Sequence, residues 1–323
     1  MTGDIHGSVW LHPVSLERLR EASLSIDFRR AEPRDHAATY DIVTQAMTDL
    51  LVRRHNLPFP RAPKIQPRDL AFRQYAYEFH RESYWMAEEA ARQVGFAIAT
   101  RNDGRWCLGA LHVLPEYQGQ GIGRRLLELT LSSAEPSDSL SVRIDSVQPV
   151  SAALYIRAGM LPWLPVLTWE GPIVSPVPDL PGDASFHVGA DPEELDPIDR
   201  KVIGLLRRRE HQFWLGQPGL RCGIFSINGG PAGYVYVSKN GQIGPAAATA
   251  EPLMRTLLLW AVSRAMEQGA DHLYLNIPGQ CPSVQKVVVA LRLRIRPPST
   301  VLLSSRPLWR PGQYLISAGE PLM

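Results

Sequence analysis

The alternation of apolar and polar residues predicts a chain of short strands and amphipathic helices. Ile26 to Arg30 alternates in the manner of a strand, and a proline-rich break separates two helices that end near Val52 and residue 82. A short helix is also predicted near residues 15–22. Further strands are predicted over residues 84–88, 93–100, 106–114, 140–145 and 161–169, and further helices after the glycines near residue 120 and over 149–157. The predicted order is strand, two helices, three strands, helix, strand, helix, strand.

The stretch from Leu111 to Leu127 joins an apolar strand to a helix through a glycine-rich loop. Pro115 and three glycines interrupt the strand pattern, and an amphipathic helix follows. Amide groups at the start of a helix have no partner inside the helix, and the helix dipole favours negative charge there. Glycines let a bulky phosphate approach the backbone closely. This stretch therefore predicts an anion site.

Spacing excludes two common phosphate loops. A P-loop requires Lys followed by Ser or Thr after its last glycine, whereas Arg124 and Arg125 stand there. Gly119, Gly121 and Gly123 alternate, and this is not the G-x-G-x-x-G spacing of dinucleotide-binding loops.

The pattern that does match is Gln118-x-x-Gly121-x-Gly123, preceded by Val113-x-Pro115. It resembles motif A (Q/R-x-x-G-x-G/A) of the GNAT acyl-CoA N-acyltransferases. The predicted order of strands and helices is also that of the GNAT fold. The resemblance implies an α/β chain with a mixed, mostly antiparallel central sheet flanked by helices.

A second motif lies at the expected separation, over residues 148–160. This stretch resembles the family pattern N-x-x-A-x-x-L-Y-x-x-x-G-F. Tyr155 and Gly159 match it, while Gln148, Ser151 and Met160 replace the usual Asn, Ala and Phe. Two motifs in the right order are far more specific than either one alone.

The resemblance implies a site for the co-substrate acetyl-CoA or another acyl-CoA. The loop amides would hold its pyrophosphate, and main-chain groups of the central strand would bind its pantetheine arm and polarise its carbonyl group. No metal is implied. The implied binding residues are Leu111, Val113, Gln118, Gly119, Gln120, Gly121, Ile122, Gly123, Arg124, Gln148 and Ser151.

Tyr155 matches the family tyrosine that lies near the sulfur and can donate a proton to the leaving thiolate. The thiol that corresponds to the leaving thiolate has a pKa of about 8.5 and the phenol of tyrosine has a pKa of about 10, so tyrosine is a suitable proton donor. The alternative is a helix tyrosine that only packs in the core.

The general base is less clearly marked. Strict alternation places Cys107 on the face where the family often has Glu or His, and places His112 on the opposite face. Glu88, Glu89 and Asp145 lie on neighbouring strands and could act directly or through water, although each could equally be a surface carboxylate. Glu88 and Asp145 are carried forward as candidate catalytic residues, and Cys107 is interpreted as a buried thiol.

The second half of the chain repeats the first. A proline-rich linker is predicted over residues 173–184, between a domain over 1–172 and a domain over 185–323. Gly95-Phe-Ala-Ile98 is echoed by Gly233-Tyr-Val-Tyr236, and a helix over 251–268 stands where the loop helix would be. Between Ile243 and Pro252 the second half has Gly244-Pro245 and no Gln-x-x-Gly-x-Gly pattern, so this stretch is interpreted as a degenerate phosphate loop. We therefore expect a tandem GNAT protein with one degenerate domain.

Composition describes an ordinary globular chain. It has 323 residues, 45% of them hydrophobic, and a formal net charge of +2, which gives no reason to expect nucleic acid or membrane as a partner. The three cysteines form no metal or disulfide pattern, and no signal or membrane segment is recognisable. These features predict a cytoplasmic protein, either a monomer or a homodimer.

These observations predict an acyl-CoA-dependent N-acyltransferase. We expect it to transfer acetyl from acetyl-CoA to a primary amine of a small molecule, by direct attack in a ternary complex. One alternative is a non-catalytic acyl-CoA-binding or regulatory module, because no base is evident and the second half is degenerate. Another is a mycothiol-synthase-like acetyltransferase, since tandem GNAT architecture also occurs in that family.

Overall fold

A computed structural model describes residues 25–58, 67–173, 185–189 and 191–317 of the chain. The helix predicted near residues 15–22 and most of the predicted linker lie outside these residues. The α-helices are α1 His36–Met47, α2 Pro67–Phe79, α3 Ile122–Leu131, α4 Pro149–Arg157, α5 Pro192–Val202, α6 Arg208–Leu215, α7 Leu253–Glu267 and α8 Pro282–Ala290.

The strands alternate with these helices in two series. The first series is β1 Ile26–Arg30, β2 Tyr84–Glu89, β3 Arg92–Asn102, β4 Arg105–Val113, β5 Ser139–Asp145 and β6 Leu161–Pro172. The second series is β7 Ser185–Val188, β8 Leu220–Ile227, β9 Gly230–Ser238, β10 Gln242–Ala248, β11 His272–Pro278, β12 Arg294–Ser304 and β13 Tyr314–Leu315.

The predicted order of elements is confirmed in the first half. The helix predicted to end near Val52 continues past α1 as a π-helix over Thr48–Arg54. A tight turn joins β3 to β4, with Asp103 and Gly104 at positive φ. Helix α4 has the predicted bounds, Pro149–Arg157, because Pro149 suits the first helical position and Gly159 follows its end at positive φ.

All strands belong to one 13-stranded sheet with the order β1-β2-β3-β4-β5-β12-β6-β11-β10-β9-β8-β7, and β13 pairs with β10. Among the strands of the described residues, only the pairs β4–β5 and β10–β11 are parallel. The prediction of a mixed, mostly antiparallel sheet flanked by helices is therefore confirmed.

The two halves also repeat in register. Leu114 N–H donates to the carbonyl of Val94 at 2.8 Å, immediately after β4, and Thr249 N–H donates to the carbonyl of Ala232 at 2.8 Å, immediately after β10. Gly95 pairs with Val113 and its counterpart Gly233 pairs with Ala248. The repeat noticed in the sequence thus corresponds to equivalent positions in the fold.

The halves exchange strands at the centre of the sheet. Strand β12 of the second half lies between β5 and β6, and β6 of the first half lies between β12 and β11. Each half therefore completes the sheet of the other, and the chain forms one continuous sheet instead of two separate ones.

A buried polar network fixes the helical layer of the second half. The carboxylate of Asp199 accepts hydrogen bonds from Arg207 at 3.1 and 3.2 Å, from His211 at 2.9 Å and from the hydroxyl of Tyr234 at 2.8 Å. Arg207 also donates to the hydroxyl of Tyr314 at 2.7 Å. Burial alone would raise the pKa of Asp199, but the charge of Arg207 and the hydrogen bond from His211 outweigh it and hold that pKa below its usual range.

We expect Asp199→Asn to lower the free energy of unfolding by about 3–5 kcal/mol, because the buried Arg207 loses its counter-charge. Glu193→Gln is the matched control: its side chain is 67% exposed, and loss of its ion pair with Arg208 should cost less than about 1 kcal/mol. Denaturant titration at neutral pH measures both. Because the pKa of Asp199 is depressed, its contribution is present above its unfolded-state pKa and is lost as pH falls. Equal losses in the two variants would contradict this account.

Candidate active site

The glycine loop between β4 and α3 is shaped to admit a ligand. Gly121 caps α3 with φ of 82°, and Gly119 has φ of 80°, a conformation that other residues rarely adopt. A Cβ atom built on either glycine would meet no protein atom within 4 Å. The space over the loop is therefore open to an incoming group.

The main-chain amides of residues 119–124 face this space without an acceptor among the residues that the structure describes. The first bond of the helix is made by Arg125 N–H, which donates to the carbonyl of Gly121 at 3.0 Å. The amides of Ile122 and Gly123 belong to the helix start and add to its positive dipole end. This is the arrangement that binds a phosphate.

Side chains around the loop brace it. Gln118 Nε2 donates to the carbonyl of Val113 at 3.0 Å, and Gln120 Nε2 donates to the carbonyl of Glu116 at 3.2 Å. The side chain of Arg124 is 75% exposed at the mouth of the loop. Arg54, at the end of the π-helix, donates to Gln118 Oε1 at 3.2 Å. Sequence reasoning missed Arg54, since it is remote from the loop along the chain.

Strands β4 and β5 part beside the loop. Their parallel pairing runs from Arg105 and Ser139 only to Leu108 and Val142, so the remainder of β4 has a free edge on that side. In an antiparallel pair, residues alternate in pointing their main-chain groups toward the partner strand. Leu114 N–H donates to β3, so Val113 and Leu111 point theirs toward the gap.

The gap thus carries free main-chain donors and acceptors, as expected for a site that binds an amide-bearing arm. The carbonyl of Val113 is the exception, since Gln118 binds it. Gln118, which was predicted as an acyl-CoA-binding residue, therefore also links the loop to the strand edge.

Tyr155 lies in α4 beneath the point where the strands part. Its ring is buried in a cluster that includes Leu108 and Val142, the last paired residues of β4 and β5. Burial raises the pKa of its hydroxyl, while a hydrogen bond with Ser151 acts in the opposite direction. The phenol therefore stays protonated at neutral pH. Gln148, another of the predicted binding residues, directly precedes the first residue of α4.

The predicted alternation along β4 is wrong beyond Leu108. A bulge at Gly109 shifts the register, because Ile98 pairs with Ala110 while Ala99 pairs with Leu108. His112 therefore lies on the same face as Cys107, with its ring 5.8 Å from that of Phe96. The single extra residue of a bulge leaves no signal in a short apolar strand.

His112 and Cys107 differ in what they can do. Burial, helped by the charge of Arg73, lowers the pKa of His112 to about 4, so its imidazole is neutral at pH 7. Burial raises the pKa of Cys107 to about 11, which keeps its thiol protonated, in agreement with the interpretation as an inert buried cysteine.

The carboxylate of Glu88 is already engaged. It forms an ion pair with Arg29 and accepts a hydrogen bond from Gln93 Nε2 at 3.2 Å. Its neighbour Glu89 accepts the hydroxyl of Tyr117. Strand β2 is separated from the gap by β3 and β4, so these two carboxylates are held at a distance from it.

Asp145 instead lines a cavity of about 740 Å³ between the two halves. Burial raises its pKa, and the nearby charge of Arg143 opposes that effect only partly. Both residues lie on the part of β5 that has separated from β4. The wall includes residues from both halves, among them Met47, Leu51, Arg143, Thr168, Lys239, Asn240, His272, Asn276, Arg296 and Thr300.

The equivalent gap in the second half is filled by the chain itself. Strands β10 and β11 pair only through Gln242 and Ile243 before they part. Strand β13 enters there, pairing Leu315 with Ala246, and Ala248 N–H, the counterpart of Val113 N–H, donates to the carbonyl of Gln313 at 3.0 Å.

The sequence stretch taken for the degenerate second loop is placed differently from expectation. Gly244 and Pro245 lie inside β10, at a register shift that corresponds to the bulge in β4. The true loop is the short link from Thr249 to Pro252. Within it, Glu251 accepts hydrogen bonds from the main chain and hydroxyl of Ser283, at 2.8 Å each. This carboxylate binds the start of α8, whereas at the start of α7 the N–H groups of Leu253 and Met254 donate to the carbonyls of Ala250 and Glu251 at 3.2 and 3.0 Å.

Within the described residues, no helix has the length and apolar character needed to cross a membrane. The same residues contain no group of three or more His, Cys, Asp or Glu side chains arranged to hold a metal ion.

Comparison with known proteins agrees with this geometry. Residues 80–159 match the family model described as the acetyltransferase (GNAT) domain, a range that contains the first motif and all but the last residue of the second. A candidate acetyltransferase from Pyrococcus horikoshii is similar over 99% of this chain and 100% of its own, with 17% identity and a TM-score of 0.70.

Two other solved structures share the fold. A GCN5-related N-acetyltransferase from Sphaerobacter thermophilus covers 87% of this chain with 96% of its own, at 13% identity and a TM-score of 0.60. A tandem GNAT protein from the clavulanic acid biosynthesis pathway covers 88% with 99% of its own, at 16% identity and a TM-score of 0.54. The chain therefore has the tandem GNAT fold. Its first half carries the GNAT domain that the family model matches.

Affinity for acetyl-CoA should depend on the open space over the loop. We expect Gly121→Glu to weaken binding at least tenfold, because its side chain and negative charge enter that space. Gly104→Glu is the matched control, since Gly104 also has φ of 80° and open surroundings but lies in a remote turn. Both variants should lose roughly 1–3 kcal/mol of stability from backbone strain. Calorimetric titration that gave equal affinities would contradict the loop assignment.

One acyl-CoA should bind per chain. Among the described residues, the first gap and its loop offer free amides. In the second half, Ala248 N–H donates to Gln313, and Leu253 and Met254 N–H donate to carbonyls of the preceding turn. Calorimetry on the full chain should give a stoichiometry of one, and Gly121→Glu should remove that single binding event. A stoichiometry of two, or one site surviving in the variant, would show that the second half binds as well.

Proposed function

We propose that the chain is an acyl-CoA-dependent N-acyltransferase that transfers acetyl from acetyl-CoA to a primary amine of a small molecule. The observation that carries this proposal is the combination of a free row of loop amides with the gap between β4 and β5. Both features are open in the half that matches the GNAT domain and filled in the other half.

The residues fit an acyl-CoA in three places. The amides of residues 119–124 are positioned to receive a pyrophosphate, with Arg124 and Arg54 adding positive charge nearby. The main-chain groups of Leu111 and the N–H of Val113 offer hydrogen bonds to a pantetheine arm along the strand edge. The pocket beside β5 leaves room for an acceptor.

Acetyl-CoA would supply an acyl group held as a reactive thioester. The N–H of Leu111 points toward the gap, where a main-chain donor can stabilise negative charge on a carbonyl oxygen. Tyr155 can donate its proton to a sulfur that leaves nearby, because its raised pKa keeps the hydroxyl protonated. Ser151 orients that hydroxyl.

We assign the general base to Asp145. It lines the cavity, burial raises its pKa, and no cation in the described residues forms an ion pair with it. Glu88 does not line the cavity and forms an ion pair with Arg29. His112 is a second candidate, since the bulge turns it to the face of Cys107, but it does not line the cavity.

The direct test is turnover of acetyl-CoA with small primary amines, measured as release of free thiol. We expect amine-dependent turnover by the full chain and a loss of about 10²–10⁴-fold in kcat for Asp145→Asn. Affinity for acetyl-CoA should stay the same in that variant, because Asp145 is remote from the loop amides.

The pH profile adds a second readout. A base must be deprotonated, so activity should fall as pH decreases through the raised pKa of Asp145, and this acid limb should be absent from Asp145→Asn. His112→Asn serves as the comparison variant. If it alone removed the limb, His112 would be the base; if no amine were acetylated while acetyl-CoA still bound, the chain would be a binding module.

A further inference from the structure

Arg143 is a cation in the cavity that has no ion-pair partner among the described residues. Its side chain is half-buried on β5 and lines the cavity between the halves. It makes neither an ion pair nor a side-chain hydrogen bond in the described part of the chain, although Asp145, Cys107 and Tyr314 act on it electrostatically. Burial accordingly lowers its pKa, although a guanidinium remains charged at neutral pH.

The other cations of the cavity are either satisfied or exposed. Arg296 forms an ion pair with Glu170 at 3.4 Å, and Lys239 is exposed in the turn between β9 and β10. Arg143 is thus the inner cation whose donors remain available. Withdrawing a charge from water without a partner is costly, and such a group gains most from an anion that arrives with the ligand.

Arg143 and Asp145 are two residues apart on one strand and face the same side, with Cα atoms about 7 Å apart by the rise of a strand. Asp145 suits an amino group, and Arg143 offers the planar fork that binds a carboxylate with two hydrogen bonds. Strand β12 holds this pair in place, because Asp145 pairs with Thr300 and Arg143 with Leu302.

From this juxtaposition we propose that the acceptor is a small amine that also carries a carboxylate, and that Arg143 binds that carboxylate. The proposal rests on the function proposed above and names its substrate class. A carboxylate fits better than a dianionic phosphate, because Arg143 is the inner cation left unpaired and Asp145 and Asp271 add negative charge to the same wall.

The test compares amines that differ only in this charge. The probes are β-alanine and 4-aminobutyrate against their methyl esters, with O-phosphoethanolamine as the phosphate probe. At saturating acetyl-CoA we expect wild-type kcat/KM to favour each carboxylate over its ester by roughly ten- to a hundredfold, as for a hydrogen bond to a charged group. Arg143→Gln should remove this preference, taken as the ratio of carboxylate to ester kcat/KM, because any effect of the lost charge on Asp145 applies to both probes alike.

Two further variants sharpen the result. Arg157→Gln removes the same charge from an exposed position on α4 and should keep the preference. Arg143→Lys keeps the charge but loses the planar fork, so it should retain part of the preference. It replaces Arg143→Gln in the test if the glutamine variant does not fold. Affinity for acetyl-CoA should be unchanged in all three.

Calorimetry can measure binding of the probes to the chain saturated with CoA, and this measurement does not depend on turnover. If amines are acetylated but esters and carboxylates react equally, the carboxylate inference is overturned while the proposed function stands. If no amine is acetylated, the proposed function fails. In that case, loss of carboxylate binding in Arg143→Gln still supports the role of Arg143. Carboxylate binding that is absent from the wild-type chain, or unchanged in the variant, overturns that role. A preference for the phosphate probe that depends on Arg143 would also overturn the carboxylate assignment.

Discussion

The antiparallel pair β6–β12 is the interaction on which the rest of this structure depends. It lies at the centre of the 13-stranded sheet, and each of its strands comes from a different half of the chain. Without β12, the edge of β5 away from the gap would have no partner, and unpaired edges are unstable and prone to aggregation. Because β12 holds β5 from Ser141 to Asp145, β4 can part from β5 on the other side without disturbing the sheet. The gap, Arg143 and Asp145 therefore depend on a strand from the opposite half.

The sequence allowed the local parts of this picture to be predicted. The glycine loop, the helix behind it and the bounds of α4 follow from residues that are adjacent along the chain. The bulge at Gly109 could not be predicted, and it reversed the expected orientation of His112. The strand exchange was also missed, because pairing between β5 and β12 joins residues that are remote in sequence. Arg143 was visible in the alternation Ser141, Arg143, Asp145, but only the cavity gives that alternation a meaning.

The two halves show how one fold can lose a binding site without losing its shape. Both keep the parallel pair that parts, the register shift in the preceding strand and the helix that follows. In the first half the strand edge and the helix start are left for a ligand. In the second half the carbonyl of Gln313 accepts a hydrogen bond from Ala248 N–H, and the first N–H groups of α7 donate to the carbonyls of Ala250 and Glu251. Buried main-chain groups need partners, so a site that no longer binds a ligand is stable only if the protein fills it.

The filled half nevertheless contributes to the open one. The turn between β9 and β10, the start of β11 and the bend in β12 form walls of the cavity that contains Asp145. A ligand cleft at the junction of two halves is enclosed on more sides than one half could enclose alone, and this increases the strength of charge interactions inside it. Asn276 illustrates the link, because it donates to the carbonyl of Ser317 beyond β13 and accepts from Thr168 of β6 on the cavity wall. The segment that fills the second gap thus also positions a wall of the cavity, which gives a physical reason for a tandem chain to keep a half whose own gap is filled.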